Sequence, residues 1–198
     1  LVEDPGQDIT ILQDHARLAS QNPTPDHSRL CAFYDDSLTD RLRLEQELNT
    51  LFDSSLERGD FLIYLQPKIS LQDNRLAGAE ALVRWNHPVW GFLSPAEFIP
   101  LFEKNGFITR LDRFVWEKAC AVLHDWDERG YYPMSVSVNV SRADIYNEDL
   151  ADTLVKIIEK YDLDPSRLHL EITESAYTEN PKQIIDTVTT LRELGFVI

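Results

Sequence analysis

Hydrophobic residues recur along this chain first at helical spacing and then at the period of two that marks strands, and the rhythm changes near Phe61. Before that point, Ile9, Leu12, Ala16 and Ala19 predict a weak helix over Asp8–Ser20, and Asn22-Pro23-Thr24-Pro25-Asp26 cannot continue it. Arg29 to Tyr34 reads as a short strand, ended by Asp35-Asp36. One helix and one strand make no core of their own, so residues 1–36 are expected to be the remnant of a preceding domain or a packing extension. Ser37 or Thr39 is expected to cap a linker helix over residues 37–59, with Leu44, Leu48, Leu51 and Phe52 at helical spacing and Gly59 as its stop.

From Phe61 strands alternate with amphipathic helices. Phe61–Ile69, Arg75–Trp85, Ser135–Val140, Leu168–Thr173 and Phe196 onward read as strands, the first two joined by the turn Gln72-Asp73-Asn74. The helices carry Leu111, Val115, Ala119 and Leu123; then Leu150, Leu154, Ile157 and Ile158; then Ile184, Val188 and Leu191 before Gly195. Such alternation predicts parallel strands flanked by helices, in a doubly wound sheet or a TIM-type barrel. The strands favour the barrel. Val136, Val138 and Val140 share one face of their strand, with Ser135, Ser137 and Asn139 on the other; Leu168, Leu170 and Ile172 likewise oppose His169, Glu171 and Thr173. A doubly wound sheet is apolar on both faces, whereas a polar face suits side chains lining a site at a barrel mouth.

Composition narrows the partners. The 198 residues hold 19 basic against 34 acidic side chains, a formal net charge of −15, which disfavours a nucleic acid polymer or an anionic lipid surface. A small anionic ligand would need a local arginine or a metal held by carboxylates. Cys31 and Cys120 show no metal-binding or disulfide spacing, and a reducing cytoplasm is the expected compartment. No apolar run approaches a membrane span, so no membrane contact is expected from this segment, and the first residues lack the regions of a signal peptide. With Leu1 in first place the chain is expected to be a piece of a longer protein, whose other parts could carry a membrane anchor.

Alternation puts Glu80, Leu82 and Arg84 on one side of their strand, an acid that can ligate a hard cation beside a guanidinium that can hold a phosphate. Asn139 and Glu171 bring further oxygen donors from two other strands, and the three together could form a magnesium or manganese site. The same spacing also describes a structural ion pair or solvated side chains, and spacing alone leaves both readings open.

At these residues the chain resembles the EAL domain family. The resemblance is carried by Phe61 to Lys68, Glu80-Ala81-Leu82-Val83-Arg84-Trp85-Asn86-His87-Pro88, Gly91, Pro95, Phe98-Ile99-Pro100, Glu103 to Gly106, Leu111-Asp112, Ala119-Cys120, Ser137 to Ser141 and Leu170 to Ser175, in the family's order. It implies a TIM-like (β/α) barrel of EAL type whose first strand runs antiparallel to the rest. It also implies a Mg2+- or Mn2+-dependent phosphodiesterase opening cyclic di-GMP to linear pGpG. Glu80, Asn139 and Glu171 then match metal ligands, with Glu80 and Glu171 catalytic through the metal; Arg84 matches a phosphate contact, and Gln66 and Leu82 lie near the nucleotide. Two divalent ions about 3.5–4 Å apart would lower the pKa of a bridging water and neutralise the phosphodiester. Leu65 stands where the family often has an aromatic residue and is expected to alter guanine packing; Glu174, His87 and His169 are expected to be structural. Residues 1–36 resemble the tail of a GGDEF domain, and residues 60–198 the N-terminal part of the EAL domain.

The family places an Asp-Asp pair on the strand beginning near Phe196, then a catalytic lysine, another glutamate and a glutamine, none of which occurs by Ile198. The barrel is therefore expected to be incomplete at the C-terminus of this chain. Taken alone, the chain is expected to hydrolyse no cyclic di-GMP and to leave a strand edge open to exchange, which makes a homodimer one expected form. Three functions stay open: an active phosphodiesterase in the full-length parent, a cyclic di-GMP receptor or interaction module without turnover, and a metal-free sugar-cleaving barrel using Glu80 and Glu171 as paired carboxylates.

Overall fold

The computed structural model of the chain describes residues 6, 8–21, 34–131, 134–172 and 181–198, which form two compact units divided at Phe52/Asp53. The first unit holds α1 (Ile9–Gln21) and most of α2 (Asp36–Arg58). His15 stacks on Tyr34 with centroids 3.6 Å apart, and the Tyr34 hydroxyl lies 2.7 Å from Thr39 Oγ1. Thr39 thus lies inside α2 and is not its cap, because the helix already starts at Asp36 and the threonine hydroxyl is engaged by Tyr34. The expected strand over Arg29–Tyr34 falls, except for Tyr34, outside the described residues, as does Cys31.

The second unit is built on β1 (Phe61–Ile69) and β2 (Leu76–His87), a long antiparallel hairpin, with β3 (Gly91–Leu93) turning back on the end of β2. After α3 (Pro95–Asn105) and α4 (Ile108–Glu128), β4 (Ser135–Val140) returns parallel to β2. A short α5 (Arg142–Ile145) and α6 (Leu150–Lys160) lead to β5 (Leu168–Ile172), parallel to β4, and α7 (Pro181–Glu193) follows. The sheet runs β1-β2-β4-β5, and Val197 adds one parallel bridge to His169. The expected strand from Phe196 is present only as this bridge.

One face of the sheet carries the core. Val136, Val138, Val140, Leu168 and Leu170 are buried in a cluster with Trp116, Ala119 and Leu123 of α4, Leu154 and Ile157 of α6, and Ile184 and Leu191 of α7. Each such valine or leucine contributes about 1.5–3 kcal/mol by leaving water, which fixes the register that turns every alternate side chain to the opposite face. Ile63 and Leu65 of β1 pack against this cluster too. Leu65 therefore lies on the opposite face from Gln66, and the expectation that it alters guanine packing fails: the period of two points it at the helices. Cys120 is buried in the same core, and its thiol is pushed up to about 12 by burial and then by the Glu117 charge, which leaves it inert.

Candidate functional site

The other face is polar, and strand register orders it in rows. Gln66, Glu80, Ser137 and His169 lie side by side across β1, β2, β4 and β5. One step further toward the C-terminal ends of the parallel strands, Asn139 pairs with Glu171. Tyr64 lies opposite Leu82 and Leu62 opposite Arg84, while on the other side of the Gln66 row Lys68 lies opposite Gly78. Glu80, Asn139 and Glu171 are thus on one face of three neighbouring strands, with Gln66, Leu82 and Arg84 on the same face.

The side chains differ in how they are held. Among the described residues the Glu80 carboxylate, half-buried, makes no hydrogen bond or ion pair, and neither does the exposed Asn139 carboxamide. Glu171 is engaged: Lys68 Nζ forms an ion pair with its Oε1 and also donates to Ser137 Oγ at 2.7 Å. Arg84 Nη1 donates to the Val83 carbonyl at 2.7 Å, and its guanidinium sits 5.6 Å from the centroid of the Tyr64 ring. His169, beside Lys68 in this face, has its pKa lowered by burial and then by the Lys68 charge, so the imidazole is a neutral hydrogen-bonding group. His87 is buried at the far end of β2, where Nδ1 accepts from the backbone N–H groups of Val89 (3.2 Å) and Trp90 (3.1 Å); it shapes the turn into β3. Glu174 lies outside the described residues.

Two carboxylates and a carboxamide are hard oxygen donors, the set that suits Mg2+ or Mn2+ better than a softer metal. With no partner among the described residues, the Glu80 carboxylate beside this pair of strands is open to such an ion. Among the described residues no three His, Cys, Asp or Glu side chains gather as a metal-holding group. Lys68 and Ser137 are the site residues that motif reading missed. The period of two from Gln66 would have placed Lys68 on this face, but nothing in the sequence says that it reaches past β2.

Helix α4 supports the end of β4. Trp116 Nε1 donates to the Asn139 carbonyl at 3.0 Å, fixing the backbone from which the carboxamide projects. One turn earlier, buried Asp112 meets Asp144, the residue whose carboxylate accepts from the Ser141 backbone N–H at 3.2 Å in the cap of α5. Burial first, and then the hydrogen bond and repulsion from Asp144, push the Asp112 carboxyl well above the usual carboxylate range. A folded-state pKa above the unfolded value, about 3.9, gives stability that is fully present below that value and lost as pH rises through the folded pKa. Asp112→Asn keeps a donor for Asp144 and removes the titration. We expect it to gain on the order of 1 kcal/mol at neutral pH, about 2–4 °C in Tm, and to gain nothing below about pH 4. Thermal unfolding at the two pH values checks this, and a loss of stability at neutral pH contradicts it.

Helices against one face, parallel β2, β4 and β5 preceded by an antiparallel β1, and oxygen donors on the opposite face define a TIM-like α/β barrel segment with its polar side chains on the inner face. The chain belongs to the EAL domain family, whose model matches residues 46–198, beginning within α2. It is similar to a cyclic di-GMP phosphodiesterase of Pseudomonas aeruginosa, 37% identical over 180 residues that make up 91% of this chain and 28% of that protein. Among solved structures, the PaMucR phosphodiesterase in complex with c-di-GMP matches 76% of this chain and 61% of that one, at 30% identity and a TM-score of 0.71. An EAL enzyme in its cAMP- and cyclic-di-GMP-bound form matches 81% of this chain and 43% of that one, at 26% identity and a TM-score of 0.71. The chain spans about a quarter of the length of the first curated relatives it matches.

Proposed function

We propose that this chain supplies the N-terminal part of the active site of a divalent-metal-dependent phosphodiesterase that opens cyclic di-GMP to linear pGpG. The observation that carries the reading is the placement of Glu80, Asn139 and Glu171 on one face of three adjacent strands in a member of the EAL domain family. Glu80, Asn139 and Glu171 would hold the Mg2+ or Mn2+, which when bound supplies charge neutralisation of the phosphodiester and activation of the attacking water. Arg84 lies on the same face and would contact a phosphate, its guanidinium 5.6 Å from the centroid of the Tyr64 ring. Gln66, across from Glu80 on β1, and Leu82, two residues along β2, would line the nucleotide.

The test is pGpG formation by the full-length protein with Mg2+ or Mn2+, and its loss in excess chelator. Nucleotide binding without turnover would assign the receptor role instead, and full pGpG formation in excess chelator would remove the metal from the reading. Arg84→Ala is expected to weaken cyclic di-GMP binding roughly 10- to 100-fold, the worth of a hydrogen bond to a charged group. Unchanged affinity in a calorimetric titration would remove Arg84 from the site. Residues 1–36 are proposed as the tail of a GGDEF-like domain and residues 37–59 as its linker; a related protein named a bifunctional diguanylate cyclase/cyclic di-GMP phosphodiesterase, 32% identical over 145 residues, supports that pairing.

A further inference from the structure

We infer that Lys68 is the resident counter-ion of Glu171 and that a divalent cation must displace it to bind, so that Lys68 sets the metal affinity of the site. The inference rests on the metal reading proposed above. Lys68 is on β1 and Glu171 on β5, with β2 and β4 between them. To reach, the lysine crosses β2 at Gly78, its partner in register, which has no side chain to obstruct the path. Gly78 is held close to the next strand as well: a Cβ there would come within 2.5 Å of the Ser135 carbonyl oxygen, so no other residue fits without moving β4. The ammonium group then rests on two anchors, Ser137 Oγ at 2.7 Å and the Glu171 carboxylate.

A contact of this kind is poor as a stabilising device. Both side chains remain about two-fifths exposed, at 42% and 39%, where solvent screens the pair, and fixing an extended lysine forfeits most of its rotamer freedom. Its effect falls instead on the acid it covers. Glu171 Oε1 is already paired with the Lys68 ammonium, while the Glu80 carboxylate in the adjoining row has no partner among the described residues. A divalent ion approaching Glu171 meets the ammonium as a like charge at contact range, and binding requires Lys68 to swing off that oxygen. Released, the lysine remains on the same face of the sheet as a cation suited to the phosphodiester.

The test measures Mn2+ binding by calorimetry to the wild-type protein, Lys68→Gln and Lys68→Arg. Glutamine keeps a donor for Ser137 and Glu171 but removes the charge, and arginine keeps the charge. Lys68→Gln is expected to lower the Kd for Mn2+ about tenfold, while Lys68→Arg stays within about twofold of wild type. A purely structural lysine would lower the urea midpoint of Lys68→Gln without tightening Mn2+ binding, and equal or weaker binding by that variant overturns the inference. Acylation footprinting gives a second readout: saturating Mn2+ should raise the reactivity of Lys68 toward acetic anhydride, and unchanged labelling overturns the displacement. Failure of all three proteins to bind Mn2+ removes the metal reading and this inference with it. Binding by all three with one Kd removes the inference alone.

Discussion

Replacing Glu80 by glutamine is expected to lower metal-dependent turnover of cyclic di-GMP by at least 10²- to 10³-fold, the usual cost of losing one preorganised electrostatic group in an active site. The substitution keeps the shape of the side chain and one acceptor oxygen while removing the charge. Because Glu80 is half-buried and has no ion pair among the described residues, its loss takes nothing from the packing of β2, and unfolding should shift by less than about 0.5 kcal/mol. The two readouts separate a ligand from a structural residue. Rates of pGpG formation measured across a range of Mn2+ concentrations decide the matter. A Glu80→Gln protein that reaches the wild-type rate at any Mn2+ concentration would show that the essential donors lie elsewhere.

How far the site could be read from sequence depends on what each residue's pattern encodes. The two-residue alternation in Ser135–Val140 predicted the buried valines, because β4 packs one face on helices and leaves the other polar. It likewise placed Glu80 with Arg84 and Asn139 opposite the core, since side-chain direction in a strand follows from position alone. The two strands joined at Gln72-Asp73-Asn74, the first antiparallel to the rest as the resemblance implies, are observed as the β1–β2 hairpin. What alternation cannot encode is contact across strands. The reach of Lys68 to Glu171 depends on strand order and on a glycine between them, neither of which periodicity carries. The helix over Pro95–Asn105 was missed for a different reason: Pro95 and Pro100 argue against a helix locally. Yet Pro95 occupies its first turn, and the Ser94 backbone N–H donates to Glu97 Oε2 at 2.6 Å to close the start. The three residues of β3 were too few to show a period, and their pairing with β2 is set by the turn around His87.

That missed helix is where the largest stability effect is expected. Phe102 of α3 is fully buried among aromatic rings, 5.7 Å from Trp85, 6.4 Å from Phe61, 5.6 Å from Phe98 and 6.0 Å from Phe107 between centroids. Phe61 and Trp85 are themselves register partners, stacked at 4.5 Å where β1 begins and β2 nears its end. The rings therefore clamp the hairpin immediately next to Arg84. Phe102→Ala empties the centre of that clamp, and the cost is expected at about 3–5 kcal/mol, since a rigid cage of neighbouring rings collapses poorly into the void. Phe102→Leu should cost less by filling most of it. The consequence for the site is uneven. Arg84 should lose its position and nucleotide affinity should fall, whereas Asn139 and Glu171 stand on strands buried against α4, α6 and α7 and should keep their share of metal binding. Urea unfolding of the three proteins, paired with Mn2+ and cyclic di-GMP titrations of the folded variants, tests both halves of the argument. A loss below about 1 kcal/mol for Phe102→Ala would mean that the hairpin is not held by this cluster. Equal weakening of metal and nucleotide binding would mean that the hairpin and the β4–β5 pair do not behave as separately supported parts of the site.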